Sequence, residues 1–157
     1  MSKHSSRIAT PHRLVIGLKR RLTARARCAK TMLLLMPRAT ANELALRVHL
    51  ALATVRAGAG SVRDAQTRTQ TTILTGFITG AGYGAATYGQ LVVAEAAVSA
   101  AFDRGRDPGE WRLDEGAASQ FAAIVTTYDE QLRRVPLWAV AEASERLDRF
   151  KAGETYQ

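Results

Sequence analysis

The 157-residue sequence predicts an all-α fold: an antiparallel bundle of about five helices carried behind a basic N-terminal arm. Three observations predict it. Alanine dominates the body and β-branched runs are short, which favours helix because Ala loses no side-chain entropy when a helix forms. Apolar residues recur at three- and four-residue spacing, the period of one helical face. Glycine and proline interrupt that period at Gly58 and Gly60, Gly80 to Gly84, Gly105 to Gly109, Pro136 and Gly153, so the segments between them are joined by short connections, as antiparallel neighbours require.

The charge is spread unevenly. Residues 1–38 hold ten Lys or Arg and no Asp or Glu, leaving twelve of the 22 bases against all 14 acids in residues 39–157. The arm therefore carries +10 and the body −2, so the net +8 is a local property. Together with a pI near 10.4, it points to an anionic partner. Hydrophobic residues at 46 %, charged residues at 23 % and a mean hydropathy of −0.12 describe an ordinary globular body, giving one domain (39–157) plus a tail (1–38). Cys28 is the only cysteine, which excludes an intrachain disulfide and a thiolate metal cluster and fits a reducing, cytoplasmic setting. The longest apolar run of the arm, Met32 to Met36, falls far short of the roughly 20 residues that span a bilayer, so no membrane span or secretory signal is expected. The arm shares the Arg-rich, acid-poor look of an organelle transit peptide, but its apolar face is weak.

Residues 1–12 are small and polar and are expected to be disordered. Leu14, Leu18 and Leu22 then recur every fourth residue within a sheath of bases, a helix with one narrow apolar stripe that Pro37 ends. Thr40 or Asn42 can cap the next helix, which runs from about Ala41 to Ala57. It buries Leu44, Val48, Ala51, Leu52 and Val55, with Leu46 and Leu50 widening the stripe. Gly58 supplies a left-handed stop, and Ser61 with Asp64 three residues on makes a capping box. The second helix starts polar and turns apolar at Ile73, Leu74, Phe77 and Ile78. Its threonines weaken the helical pattern, and Gly80, Gly82 and Gly84 break it. A third helix, about Ala85 to Arg104, is read as burying Tyr88, Leu91, Val92, Val98 and Phe102. Trp111 and Leu113 pin the next loop, and Asp114 caps a fourth helix whose Ala118, Phe121, Val125, Tyr128 and Leu132 form a seam for packing on a neighbour. Pro136 stops it. The fifth helix turns Val140, Leu147 and Phe150 inward and Glu142, Glu145, Arg146, Asp148 and Arg149 outward, and Gly153 closes it.

Several stretches, namely Thr10-Pro-His-Arg-Leu14, the turn from Gly58 to Ser61, Arg112-Leu-Asp114, Tyr128-Asp-Glu-Gln-Leu132 and Ala152-Gly-Glu-Thr-Tyr156, resemble short proteobacterial proteins, some of them labelled Fis-type transcriptional regulators. The resemblance covers most of the chain and rests on helix-boundary residues. It implies a small helical accessory or regulatory protein, and the Fis label implies a DNA-binding helix-turn-helix near the C-terminus. The joint there, Arg133-Arg134-Val135-Pro136, leads into a helix whose outer face holds more acids than bases.

No catalytic or cofactor signature is present, so a non-enzymatic protein without a cofactor or bound metal is expected. Ile78-Thr79-Gly80-Ala81-Gly82-Tyr83-Gly84 resembles a dinucleotide-binding turn, yet its third glycine is displaced and no strands follow to form a parallel sheet. It reads instead as a joint between helices. His4, His12 and His49 lack the spacing and partners of a metal site or a nucleophile triad. The carboxylate pairs Asp114-Glu115 and Asp129-Glu130 are adjacent in sequence and so point in different directions on a helix.

The expected functional residues are therefore cationic. Arg13, Lys19, Arg20, Arg21, Arg25, Arg27 and Lys30 are the candidate nucleic-acid-binding set, because neutralising phosphates releases counterions and needs no defined geometry. With no aromatic residue in 1–38, contact should be to phosphate and poorly sequence-specific. Arg63, Gln66, Arg68 and Gln70, at the polar start of the second helix, form a secondary candidate surface. A nucleic acid, a protein partner docking on the bundle, and a second copy through the many alanine positions are the expected partners. The alternative is a protein-interaction module, such as a small inhibitor of a nucleic-acid enzyme, of the kind a mobile element encodes.

Overall fold

The computed structural model of the protein describes residues 27–84, 86–106, 111 and 113–153, and among these every regular element is an α-helix. The chain divides between Leu34 and Leu35. In the first part, residues 27–32 are helical, and the Leu33 and Leu34 amides close a turn onto the Lys30 and Thr31 carbonyls. The helix expected to run to Pro37 thus ends five residues earlier. Proline disfavours α geometry in the residue before it, and the chain is already extended where Leu35 forms an isolated antiparallel bridge with Pro136.

Among the described residues the second part carries five helices: α1 (Arg38–Arg56), α2 (Val62–Gly80), α3 (Tyr88–Arg106), α4 (Glu115–Arg134) and α5 (Leu137–Lys151). Helix α1 starts at Arg38 with Pro37 at its N-cap and no side-chain cap, so Thr40 and Asn42 lie inside the helix.

Helix α2 packs against each of the other four helices, and α4 packs against α1, α2 and α3. The polar, threonine-rich segment is thus the centre of the fold. It buries Ala65, Arg68, Thr71, Thr72, Thr75 and Ile78. The Thr75 hydroxyl has no hydrogen-bond partner among the described residues, but Thr69, Thr71 and Thr72 spend their hydroxyl hydrogens on their own helix, donating to the carbonyls four residues back at 3.0, 2.8 and 3.0 Å. Each of these three then presents chiefly a methyl group to its neighbours. Ser61 starts this helix as expected. Its hydroxyl accepts from the Asp64 amide at 3.3 Å, and the Asp64 carboxylate accepts from the Ser61 amide at 2.9 Å, an arrangement that contributes about 1 kcal/mol.

The expected seam of α4 is present: Ala118, Phe121, Val125, Tyr128 and Leu132 are all buried, and Asp114 accepts from the Ala117 amide at 2.7 Å. Leu113 is buried beside it. The loop at Trp111 lies so close to the α1–α2 turn that a Cβ on Gly60 would sit 2.6 Å from the Trp111 carbonyl oxygen. Only glycine fits there.

Other facings differ from expectation. On α1 the buried face runs through Ala41, Ala45, Val48, Leu52 and Val55, whereas Leu46 and Leu50 are exposed. Helix α3 begins at Tyr88, because Thr87 and Gln90 cap it reciprocally, amide to Oε1 at 2.8 Å and amide to Oγ1 at 3.2 Å. Its packed face uses Leu91, Ala94 and Ala97, so Tyr88, 84 % exposed, and Val92 face outward instead of inward; the side chains of Val98 and Phe102 lie outside the described residues. On α5 Phe150 is exposed, and Arg146 turns inward to lay its guanidinium 4.3 Å from the centre of the Phe77 ring. That cation–π contact, the edge-on Tyr83–Trp138 pair at 6.0 Å and the small buried residues Ala139 and Ala143 hold α5 against the core.

The glycine joint after α2 is closed from α4. Gln131, 2 % exposed, donates its amide Nε2 to the Tyr83 carbonyl at 2.9 Å, Thr79 Oγ1 at 3.0 Å and the Thr75 carbonyl at 3.3 Å. Gly84 lies over this amide with φ of +109°, and a Cβ there would come within 2.6 Å of Nε2.

Candidate functional site

Along α2, positions 63, 66, 67, 70, 71 and 74 share one face by the three- and four-residue rule. That face meets Leu44, Arg47 and Val48 of α1 across a groove of about 310 Å³, and Tyr128 of α4 closes its base. Leu44, Val48 and Leu74 form apolar walls, while Arg47, Arg63, Gln66 and Gln70 supply the polar lining.

The hydrogen-bond chemistry of the groove is one-sided. Thr67 and Thr71 donate to the carbonyls of Arg63 and Thr67 at 2.9 and 2.8 Å, so their hydroxyl hydrogens are taken. Arg47 lies 3.5 Å from Glu43 in a solvent-exposed i,i+4 pair, which holds it only weakly. Arg63 makes no ion pair among the described residues, and no carboxylate lines the groove. The available groups are thus two guanidiniums, two primary amides and one phenol. Tyr128 is 6 % exposed, and its hydroxyl forms no hydrogen bond among the described residues. Burial pushes the Tyr128 phenol above its ordinary pKa, partly opposed by the Arg47 charge, so the hydroxyl remains a neutral donor at physiological pH.

Of the sequence candidates, Arg13, Lys19, Arg20, Arg21 and Arg25 lie outside the described residues, and Arg27 and Lys30 are exposed. Arg63, Gln66 and Gln70 are gathered in the groove, but Arg68 is not. It is fully buried on the inner face of α2 with Ala65, Thr72 and Thr75, so its guanidinium is not available to a nucleic-acid groove. The reason is angular: on a helix, 68 stands on the face of 65 and 72, away from 63, 66 and 70. Two groove residues escaped the sequence reading. Tyr128 has the spacing of a core seam, and nothing local links it or Arg47 to Arg63. Among the described residues no helix is long and apolar enough to cross a membrane. Comparison with family models, with curated proteins and with solved structures gives no match to this chain, so its functional reading rests on its own residues.

Proposed function

We propose that the protein is a non-enzymatic, nucleic-acid-associated accessory or regulatory protein of the cytoplasm. Its basic segment contacts phosphates, and its helices, an antiparallel five-helix bundle, mediate protein contacts. The observation that carries this reading is the segregation of charge: ten bases and no acid in residues 1–38, against a balance of −2 in the remainder. A polyanion is the partner that rewards such a run, because each phosphate neutralised releases condensed counterions. The exposure of Arg27 and Lys30 is consistent with it.

The test is titration of generic duplex DNA into the full chain at two salt concentrations, alongside a variant with Lys19, Arg20, Arg21 and Arg25 changed to Gln. Affinity should fall steeply with salt, and the variant should lose about 0.9 of logarithmic slope per phosphate contact removed. Absence of binding at low salt refutes the proposal. A second reading, a protein-interaction module acting on a nucleic-acid enzyme, is favoured by the outward Tyr88, Val92 and Val93 of α3. It predicts no affinity for free DNA.

A further inference from the structure

We propose that the groove between α1 and α2 is a binding site for a phosphomonoester of mononucleotide size, held by the guanidinium groups of Arg47 and Arg63 and by the hydroxyl of Tyr128. The donor balance leads to an anion. Hydrogen-bond donors converge from α1, α2 and α4 with no carboxylate among the lining residues, and the threonine hydroxyl hydrogens are already spent on backbone carbonyls. Tyr128 gives the independent observation. Its side chain is only 6 % exposed and lines the groove, and its hydroxyl makes no hydrogen bond among the described residues, so the one donor it has is open to whatever occupies the groove. A ligand oxygen within the groove supplies an acceptor for it.

Size and lining narrow the class. At about 310 Å³ the groove lies at the lower end of small-ligand sites, roughly 300–1,000 Å³. A bare inorganic anion leaves the walls of Leu44, Val48 and Leu74 uncovered. A compact ring attached to the phosphate covers them, and the amides of Gln66 and Gln70 each offer a donor and an acceptor to its polar edge. Two guanidiniums match the double charge of a monoester better than the single charge of a diester. This site does not depend on the arm, and it goes beyond the phosphate-backbone reading above.

The experiment is calorimetric titration of the full chain with uridine 5′-monophosphate, uridine and inorganic phosphate. The monophosphate should bind saturably with one site, and uridine at least about tenfold more weakly, since charged hydrogen bonds are the strong ones. R47A and R63A should each weaken the monophosphate by about tenfold. Y128F, which keeps the ring and the packing, should weaken it by about three- to tenfold. The arm variant with four Lys and Arg changed to Gln should bind the monophosphate unchanged even where it loses duplex DNA, which separates this site from the arm. Short single-stranded oligonucleotides with a 5′-phosphate or a 5′-hydroxyl distinguish the two sources of the ester. Preference for the phosphorylated end assigns a nucleic-acid terminus. Mononucleotide binding without oligonucleotide binding assigns a free nucleotide. Equal affinity for uridine and its monophosphate, indifference to R47A, R63A and Y128F, or no binding at millimolar concentration overturns the proposal.

Discussion

Gln131 is the residue whose replacement tests the fold most sharply. Its Nε2 faces three oxygens at 2.9, 3.0 and 3.3 Å in a site that is 2 % exposed, and with two amide hydrogens it satisfies at most two of them well. Gln131→Leu fills most of the volume but removes both hydrogens. At about 1 kcal/mol net per bond it should destabilise by roughly 1–3 kcal/mol, partly offset because Oε1 accepts no hydrogen bond among the described residues. Gln131→Glu keeps the shape and sets a carboxylate against the same oxygens. Burial and oxygen dipoles raise the folded carboxyl above its usual value of about 4.3, and each unit corresponds to about 1.4 kcal/mol. A group with a raised folded pKa contributes stability that is complete below the unfolded value and lost as pH climbs through the folded one. The Glu variant should therefore be less stable than the Leu variant at pH 7 by more than about 1 kcal/mol, and the gap should close toward pH 4.5. Urea unfolding followed by circular dichroism at 222 nm measures both. If the two variants match at pH 7 and their difference does not change with pH, the amide does not donate into the glycine joint.

Two further outcomes follow from the burial of Tyr128 and the close approach at Gly60. Tyr128 should ionise above the ordinary 10.0, since burial outweighs the opposing charge of Arg47. In an alkaline titration at 295 nm, Tyr128→Phe should remove an upward-shifted step, and Arg47→Ala should move that step higher. The stability tied to this phenol is complete below about pH 10 and lost as pH rises through its folded value; a step at or below the ordinary value would contradict its burial. Gly60→Ala should lower Tm, because the new methyl meets the Trp111 carbonyl oxygen at 2.6 Å and Val55 Cγ2 at 3.0 Å, at a cost of about 1–3 kcal/mol. Gly80→Ala, with nothing within 4 Å, should instead be neutral or stabilise by up to about 1 kcal/mol. The same sign for both would count against the close approach of the two loops.

The residues that were legible in advance are those whose behaviour depends on near neighbours. Ser61 with Asp64, Asp114 before α4 and the positive φ at Gly58 and Gly153 all appear where their chemistry puts them. Helix α4 was readable down to single positions because its apolar residues form one unambiguous stripe. Leu46, Leu50, Tyr88, Val92 and Phe150 were misplaced because α1 and α3 carry apolar or small residues around most of their circumference and α5 offers two competing apolar edges. Such helices do not specify their own rotation, and the choice falls to whichever surface a neighbour covers.

The candidate groove shows the same division. Arg63, Gln66 and Gln70 share a face by helical spacing alone, and the helix they belong to could be named from its capping box and glycine stop. That Arg68 turns into the core, that the threonine-rich helix is central, and that Arg47 and Tyr128 complete the groove depend on contacts between segments far apart in the chain. The all-helical class, the helix ends and the lopsided charge are consequences of local composition, because backbone propensity, capping and formal charge act over a few residues. Burial and convergence are not local quantities: a side chain is inside, or faces a ligand, only relative to surfaces that other helices bring to it.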